Sequence, residues 1–95
     1  PGKKIAKAVE NKWENNFNEE IGLVGGNVWQ GGNLSYHLKS RPKWDNLLES
    51  KKTISLKNIK GGFVIIGDKE ALSKICRGVF FEVEAQGICM IGKKK

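Results

Sequence analysis

Residues 25–36, "GGNVWQGGNLSY", place four glycines and two asparagines around a tryptophan and a tyrosine, directly after a short apolar run. Glycines at that point suit a phosphate-binding turn, in which consecutive backbone N–H groups at a helix start surround the anion. The spacing fits poorly. Gly25, Gly26, Gly31 and Gly32 do not form G-x-G-x-x-G, and Gly32-Asn33 stands where a Walker sequence needs Lys followed by Ser or Thr. The competing reading is packing: Gly25-Gly26 turn the chain from strand into helix, Asn27 caps that helix, and Val28, Gly32 and Ser35 form a small-residue face against the sheet. A helical glycine gives up about 1 kcal/mol relative to alanine, which close packing or a ligand must offset. Trp29, Asn33 and Tyr36, at i, i+4 and i+7, share an adjacent face that serves either as half-buried packing or as a contact surface.

Elsewhere the residues capable of chemistry are sparse. A nucleophilic triad needs a base, and the only histidine, His37, has no acid four residues away on its helix, so a surface or capping role is expected. Glu82 and Glu84 are two apart and resemble an acid/base pair, but alternate positions on a half-buried strand ordinarily carry solvent-facing charges. Cys76 and Cys89 with one histidine are too few for a tetrahedral structural zinc site, and no metal or cofactor is expected. Asn33-Leu34-Ser35 is an N-glycosylation sequon, but it falls on a predicted helix. Arg41, Lys43 and Trp44 combine charge with an aromatic, yet no RNA-binding signature accompanies them, and Trp44 reads as strand packing.

Local patterns supply the elements that must position these residues. Ile5, Val9, Trp13 and Phe17 recur every four residues, with Ala6 beside them, which predicts an amphipathic helix over 3–17. "IGLVGG" reads as a buried strand ending in a turn, and a strand is expected around "RPKWD", where Pro42 stops the preceding helix. Residues 49–60 are polar and read as a short helix or irregular connection. "GGFVIIGD" is the clearest strand. Asp68 is the expected cap of a third helix, whose buried stripe is Ala71, Leu72, Ile75 and Cys76 and whose end is Arg77-Gly78. "VFFEVE" alternates, with Val79, Phe81 and Val83 on one side, and a turn at Gln86-Gly87 sends the chain back through "ICMIG". The succession predicts a small three-layer α/β domain with a mainly parallel sheet and a C-terminal antiparallel hairpin at one edge. That path returns Cys89 toward the end of the third helix, which allows a disulfide with Cys76, against the alternative of two separately buried thiols.

Ninety-five residues suffice for one domain with a modest core. The formal net charge of +7 permits attraction to nucleic acid, anionic headgroups or phosphorylated substrates, but the basic residues are spread along the chain rather than gathered into a block. No apolar run is long enough to cross a bilayer. The opening "PGKK" lacks an initiating methionine, so residues 1–95 are expected to be a single soluble domain cut from a longer protein.

Residues 25–44, "GGNVWQGGNLSYHLKSRPKW", resemble the soluble tail of family 39 glycosyltransferases, which include protein O-mannosyltransferases and 4-amino-4-deoxy-arabinose lipid A transferases. Bacterial members often carry, after their last membrane helix, a segment close to Gly-Asp-x-Trp-x-x-Gly-Asn-(Leu/Val)-(Ser/Ala)-(Phe/Tyr) followed by Arg-Pro. Gly26, Trp29, Gly32, Asn33, Leu34, Ser35, Tyr36, Arg41 and Pro42 match it. Asn27 departs from it, standing where the family often has Asp. The resemblance implies the extracytoplasmic C-terminal domain of an integral membrane enzyme that transfers sugar from a polyprenyl-phosphate carrier. It places the catalytic acids near the first membrane helices, outside this chain, and leaves Trp29, Asn33, Tyr36 and Arg41 as docking residues. The implied partners are the transmembrane part of the same polypeptide and polyprenyl-phosphate sugar or anionic lipid headgroups, with nucleic acid disfavoured. The alternative is a free-standing basic α/β module that binds nucleotide or RNA through the Gly25–Asn33 turn.

Overall fold

The computed structural model describes residues 2–46 and 60–95. Helix α1 (Gly2–Asn16) forms where the four-residue periodicity lies. Its Ala6, Val9 and Trp13, with Phe17 just beyond its end, are buried. Trp13 and Phe17 stack with ring centroids 4.1 Å apart, and the Trp13 indole N–H donates to Glu19 O at 2.6 Å, so a buried polar atom is satisfied at the turn out of the helix.

Strand β1 (Ile21–Gly25) follows, then helix α2 (Gln30–His37) and strand β2 (Lys43–Asp45). The chain is next described at strand β3 (Gly62–Gly67), followed by helix α3 (Lys69–Ile75) and the hairpin of β4 (Val79–Val83) and β5 (Gln86–Ile91). The connection expected over 49–60 lies outside the described residues except for Lys60.

These strands form one mixed sheet in the order β2-β1-β3-β5-β4. β1 runs parallel to both β2 and β3, whereas β5 runs antiparallel to β3 and β4. Parallel pairing requires a crossover, which α2 supplies between β1 and β2; antiparallel pairing needs only a tight turn. The β4–β5 turn falls at Glu84-Ala85, not at the expected Gln86-Gly87. Both turn residues have positive φ, 50° and 62°, while Gln86 already pairs with Val83. A two-residue hairpin loop of this hand matches the strand twist, and here it forms without the glycine such turns usually carry.

Side-chain alternation separates three layers. Val64 and Ile66 of β3 and Ile88 and Met90 of β5 join Val24, Leu34, Leu38 and the α1 stripe in the main core, with Val79, Phe81 and Val83 of β4 packed against it. Gly87 and Cys89, the alternate residues of β5, face the other way, where α3 lies: a Cβ on Gly87 would stand 2.7 Å from Lys69 Cα. The small α/β domain with its closing antiparallel hairpin is therefore the architecture the sequence predicts.

Two local expectations are corrected. In α3 only Leu72 is buried, and Ile75 is 69% exposed. This helix of seven residues buries one position, and among the described residues it is held instead at its ends. Asp68 Oδ2 accepts from Ala71 N at 2.9 Å, and Cys76 is joined to Cys89 by a disulfide, Cα atoms 5.7 Å apart. In α2 the face on the sheet is Gly31, Leu34 and Leu38, not Val28, Gly32 and Ser35. A Cβ on Gly31 would approach Trp44 Nε1 to 2.6 Å, while one on Gly32 would meet nothing within 4 Å. Val28 is 66% exposed because the helix proper starts only at Gln30.

Candidate functional site

At the exit of β1 the chain turns through Gly26, and Asn27 closes the entry to α2. Its Oδ1 accepts from Gln30 N at 2.7 Å and its backbone O accepts from Gly31 N at 2.8 Å. Asn27 thus closes the turn that leads into α2 rather than standing at the N-cap position, which Trp29 occupies without a side-chain cap bond. The same bonds bear on phosphate binding. Gln30 N, Gly31 N and, through Trp29 O, Asn33 N are committed within the chain, which leaves fewer donors for a phosphate at this turn.

The four residues singled out by sequence share the outward side of α2 and its C-terminal exit. Trp29 is 73% exposed and Tyr36 63%. Asn33 Nδ2 donates to Trp29 O at 2.7 Å, which ties the tryptophan's backbone to the first helical turn. Arg41 adopts φ 49°, an unfavourable left-handed conformation for a non-glycine residue, and its guanidinium lies 4.9 Å from the Tyr36 ring centroid. His37 stands edge-on to Tyr36 at 5.1 Å. The set therefore comprises two pairs, Trp29 with Asn33 and Tyr36 with Arg41, separated by about two helical turns, or roughly 10 Å.

Trp29 and Asn33, but not Tyr36 and Arg41, border a cleft of about 670 Å3. Leu34 and Ile66 supply apolar wall, Gln30 and Gln86 supply amides, and Lys3, His37 and Glu84 bring titratable groups. The cleft opens by the carboxyl end of β3 and the turn following β1. In open α/β sheets ligands settle at such carboxyl ends. Gln30 and Gln86 escaped sequence reasoning. They are far apart in the chain, and only the antiparallel register of β5 on β3, with Ile66 opposite Ile88 and Gly67 opposite Gly87, brings Gln86 to this end. Gln30 Nε2 donates to Gln86 Oε1, and Asn27 Nδ2 donates to Gln30 Oε1 at 3.3 Å.

The remaining charged candidates serve structure. Glu82 pairs with Lys69 and Glu84 with Lys4, at 3.4 and 3.3 Å. Trp44 Nε1 donates to Gly26 O at 3.1 Å, so this tryptophan fastens β2 to the turn. Toward the end of α1, Glu14 is held below the ordinary carboxylate range by its hydrogen bond to Lys39 and the charge of that ammonium, and Lys39 is raised in return. Among the described residues no group of His, Cys, Asp or Glu is arranged to hold a metal ion, and no helix is long and apolar enough to cross a membrane.

Fold and cleft together define a small α/β domain, stapled by one disulfide, with an exposed aromatic face on its second helix. Comparison of the chain with protein-family profiles, characterised proteins and solved structures gives no match.

Proposed function

We propose that this chain is the extracytoplasmic C-terminal domain of a membrane glycosyltransferase resembling family 39, in which it supports transfer of a sugar from a polyprenyl-phosphate carrier by docking through the outward side of α2. One observation carries the reading. Of the motif positions, Gly26, Leu34 and Pro42 answer to packing, whereas Trp29 and Tyr36 stand 73% and 63% exposed, Trp29 with no ring partner among the described residues and Tyr36 with only Arg41 and His37 against its ring. Large exposed aromatics flanked by polar and cationic groups are typical of contact surfaces and of the membrane–water interface. The net charge of +7 suits nearby phosphate or anionic headgroups. The Cys76–Cys89 disulfide suits an oxidising compartment.

The domain itself is not the catalyst in this reading. Incubated with labelled polyprenyl-phosphate sugar and membranes lacking the enzyme, the 95-residue chain should show no turnover above the blank. The coding sequence upstream should carry several hydrophobic segments of about 20 residues each. In membranes containing the parent polypeptide, Trp29→Ala with Tyr36→Ala should lower transfer while the protein level is unchanged. Wild-type transfer by that double variant would refute the docking role.

A further inference from the structure

We propose that the cleft beside Trp29 binds a pyranose ring. The proposal deepens the docking role given above by naming what the Trp29 end of the face takes, and it rests on that end being a contact surface. Each tryptophan of the chain is used differently. Trp13 is buried and Trp44 is fastened to Gly26 O, but the indole of Trp29 has both its ring face and its N–H uncommitted among the described residues. An aromatic face carries negative potential and attracts weakly positive C–H groups. One face of many pyranoses presents such a row of C–H groups.

Beside the indole, the amides are already oriented. Asn27 donates to Gln30, Gln30 donates to Gln86, and Gln86 Nε2 is left as a donor. Asn33 spends Nδ2 on Trp29 O, which leaves Oδ1 as an acceptor. Glu84, whose Oε1 pairs with Lys4, adds its carboxylate at the rim. A platform flanked by one amide donor, one amide acceptor and a carboxylate matches a ligand with an apolar face and an edge of hydroxyls, each able both to donate and to accept. Other occupants fit less well. A phosphate would find the N–H groups of Gln30, Gly31 and Asn33 committed and would leave the ring face of Trp29 unused. A lipid tail would cover the free ends of the amides and leave them without partners, which costs free energy. The volume, about 670 Å3, lies within the range of about 300–1,000 Å3 usual for small-molecule sites.

The test is an amide and indole chemical-shift titration of the 95-residue chain with methyl α-mannopyranoside, N-acetylglucosamine, sorbitol and inorganic phosphate. Saturable shifts are expected with at least one pyranose, at the Trp29 indole N–H and the Asn33 and Gln86 side-chain amides. Sorbitol, which has hydroxyls but no ring face, should give none. Concentrations should reach roughly 100 mM, at which a Kd of about 10 mM still gives near-saturation. Trp29→Ala should weaken binding at least about tenfold, Trp29→Phe should restore part of it, and Gln86→Leu should weaken it with the remaining spectrum intact. Absence of saturable pyranose shifts, equal response to sorbitol or phosphate, or unchanged affinity in Trp29→Ala would each overturn the proposal. The transfer assay on the parent reports separately. Lost transfer in the Trp29 and Tyr36 double variant without pyranose binding would overturn this site and leave the docking role standing. Pyranose binding by the chain with normal transfer in that variant would support the site and overturn the docking role.

Discussion

Helices α2 and α3 are nearly equal in length, eight and seven residues, and lie on opposite faces of one sheet. They are kept there by different means. α2 is held by packing: Gly31 lets the backbone approach Trp44 and Gly26, and Leu34 and Leu38 are 1% and 0% exposed within the core shared with α1. α3 buries only Leu72 and is held by a cap at one end and a disulfide at the other. Neither helix is long enough to persist alone in water. The difference bears on function. Because α2 is secured from beneath, its outward side is free to present Trp29 and Tyr36, whereas α3 owes its place to bonds at its two ends.

Removing the staple should have the largest effect. Cys76→Ala with Cys89→Ala opens a loop of sequence separation 13, and loops near that size contribute about 3 kcal/mol in the chain-entropy description. The denaturation midpoint should fall accordingly. Hydrogen exchange should quicken over 69–76 far more than over 30–37; equal quickening in both helices would break the contrast.

Adjacent glycines test the other half of it. Gly31→Ala should cost about 1–3 kcal/mol by overpacking against Trp44. Gly32→Ala should be neutral or stabilise by up to about 1 kcal/mol, since it relieves a helical glycine in open space. Gly61, with φ 87° and a would-be Cβ 2.5 Å from Glu20 O, should also tolerate substitution worse than Gly32. The small-residue reading of Val28, Gly32 and Ser35 implies the reverse order. Urea midpoints of the three variants decide between them.

The caps sharpen the comparison at a smaller scale. Asp68→Ala and Asn27→Ala each remove a side-chain acceptor from a helix entry, 2.9 and 2.7 Å from the donors they serve, and each should cost about 1 kcal/mol. Asp68→Ala should quicken exchange throughout α3, because Leu72 and the disulfide are then left to hold that helix, whereas Asn27→Ala should affect only the first turn of α2. Loosening of the whole of α2 by Asn27→Ala would show that packing alone does not secure it.

The smallest effect is expected from Glu14 and Lys39, an exposed pair joining α1 to the exit of α2. With its folded value lowered, Glu14 contributes stability above the ordinary carboxylate value of 4.5, and that contribution is lost as pH falls through the folded value. Lys39, raised, contributes below 10.5 and loses its contribution as pH rises through its folded value. Wild type should therefore exceed Glu14→Gln slightly in thermal midpoint near neutral pH, with the gap closing in acid and at high salt. A gap that widened in acid would reverse the assignment.

Legibility in the sequence varied with the range of the signal. The α1 stripe, the strand of "GGFVIIGD" and the Asp68 cap are patterns within a few residues, and each forms where expected. The α2 face was misplaced because Val28 and Trp29 belong to the turn. Positions 28, 32 and 35 and positions 31, 34 and 38 are equally regular helical spacings, and only the position of Trp44 distinguishes Gly31 from Gly32. The α3 stripe is shorter than expected for another reason: apolar residues at helical spacing are buried only if a second surface covers them, and among the described residues none covers Ile75. Of the residues bordering the cleft, Trp29 and Asn33 were singled out by residue type and motif together with Tyr36 and Arg41, which lie outside it, while Gln30 and Gln86 were not.

What the sequence determined by itself is the succession of elements, the apolar faces of α1 and β3, and the residue types available for contact, because these follow from periodicity and local backbone preference. The tertiary structure decided the rest. Strand order placed β5 between β3 and β4, which set Cys89 under the end of α3 for the disulfide and Gln86 beside Gln30 in the cleft. Such pairings depend on sheet register, where a shift of one residue exchanges the faces of a whole strand, and no local pattern in this chain encodes which distant residue will stand opposite.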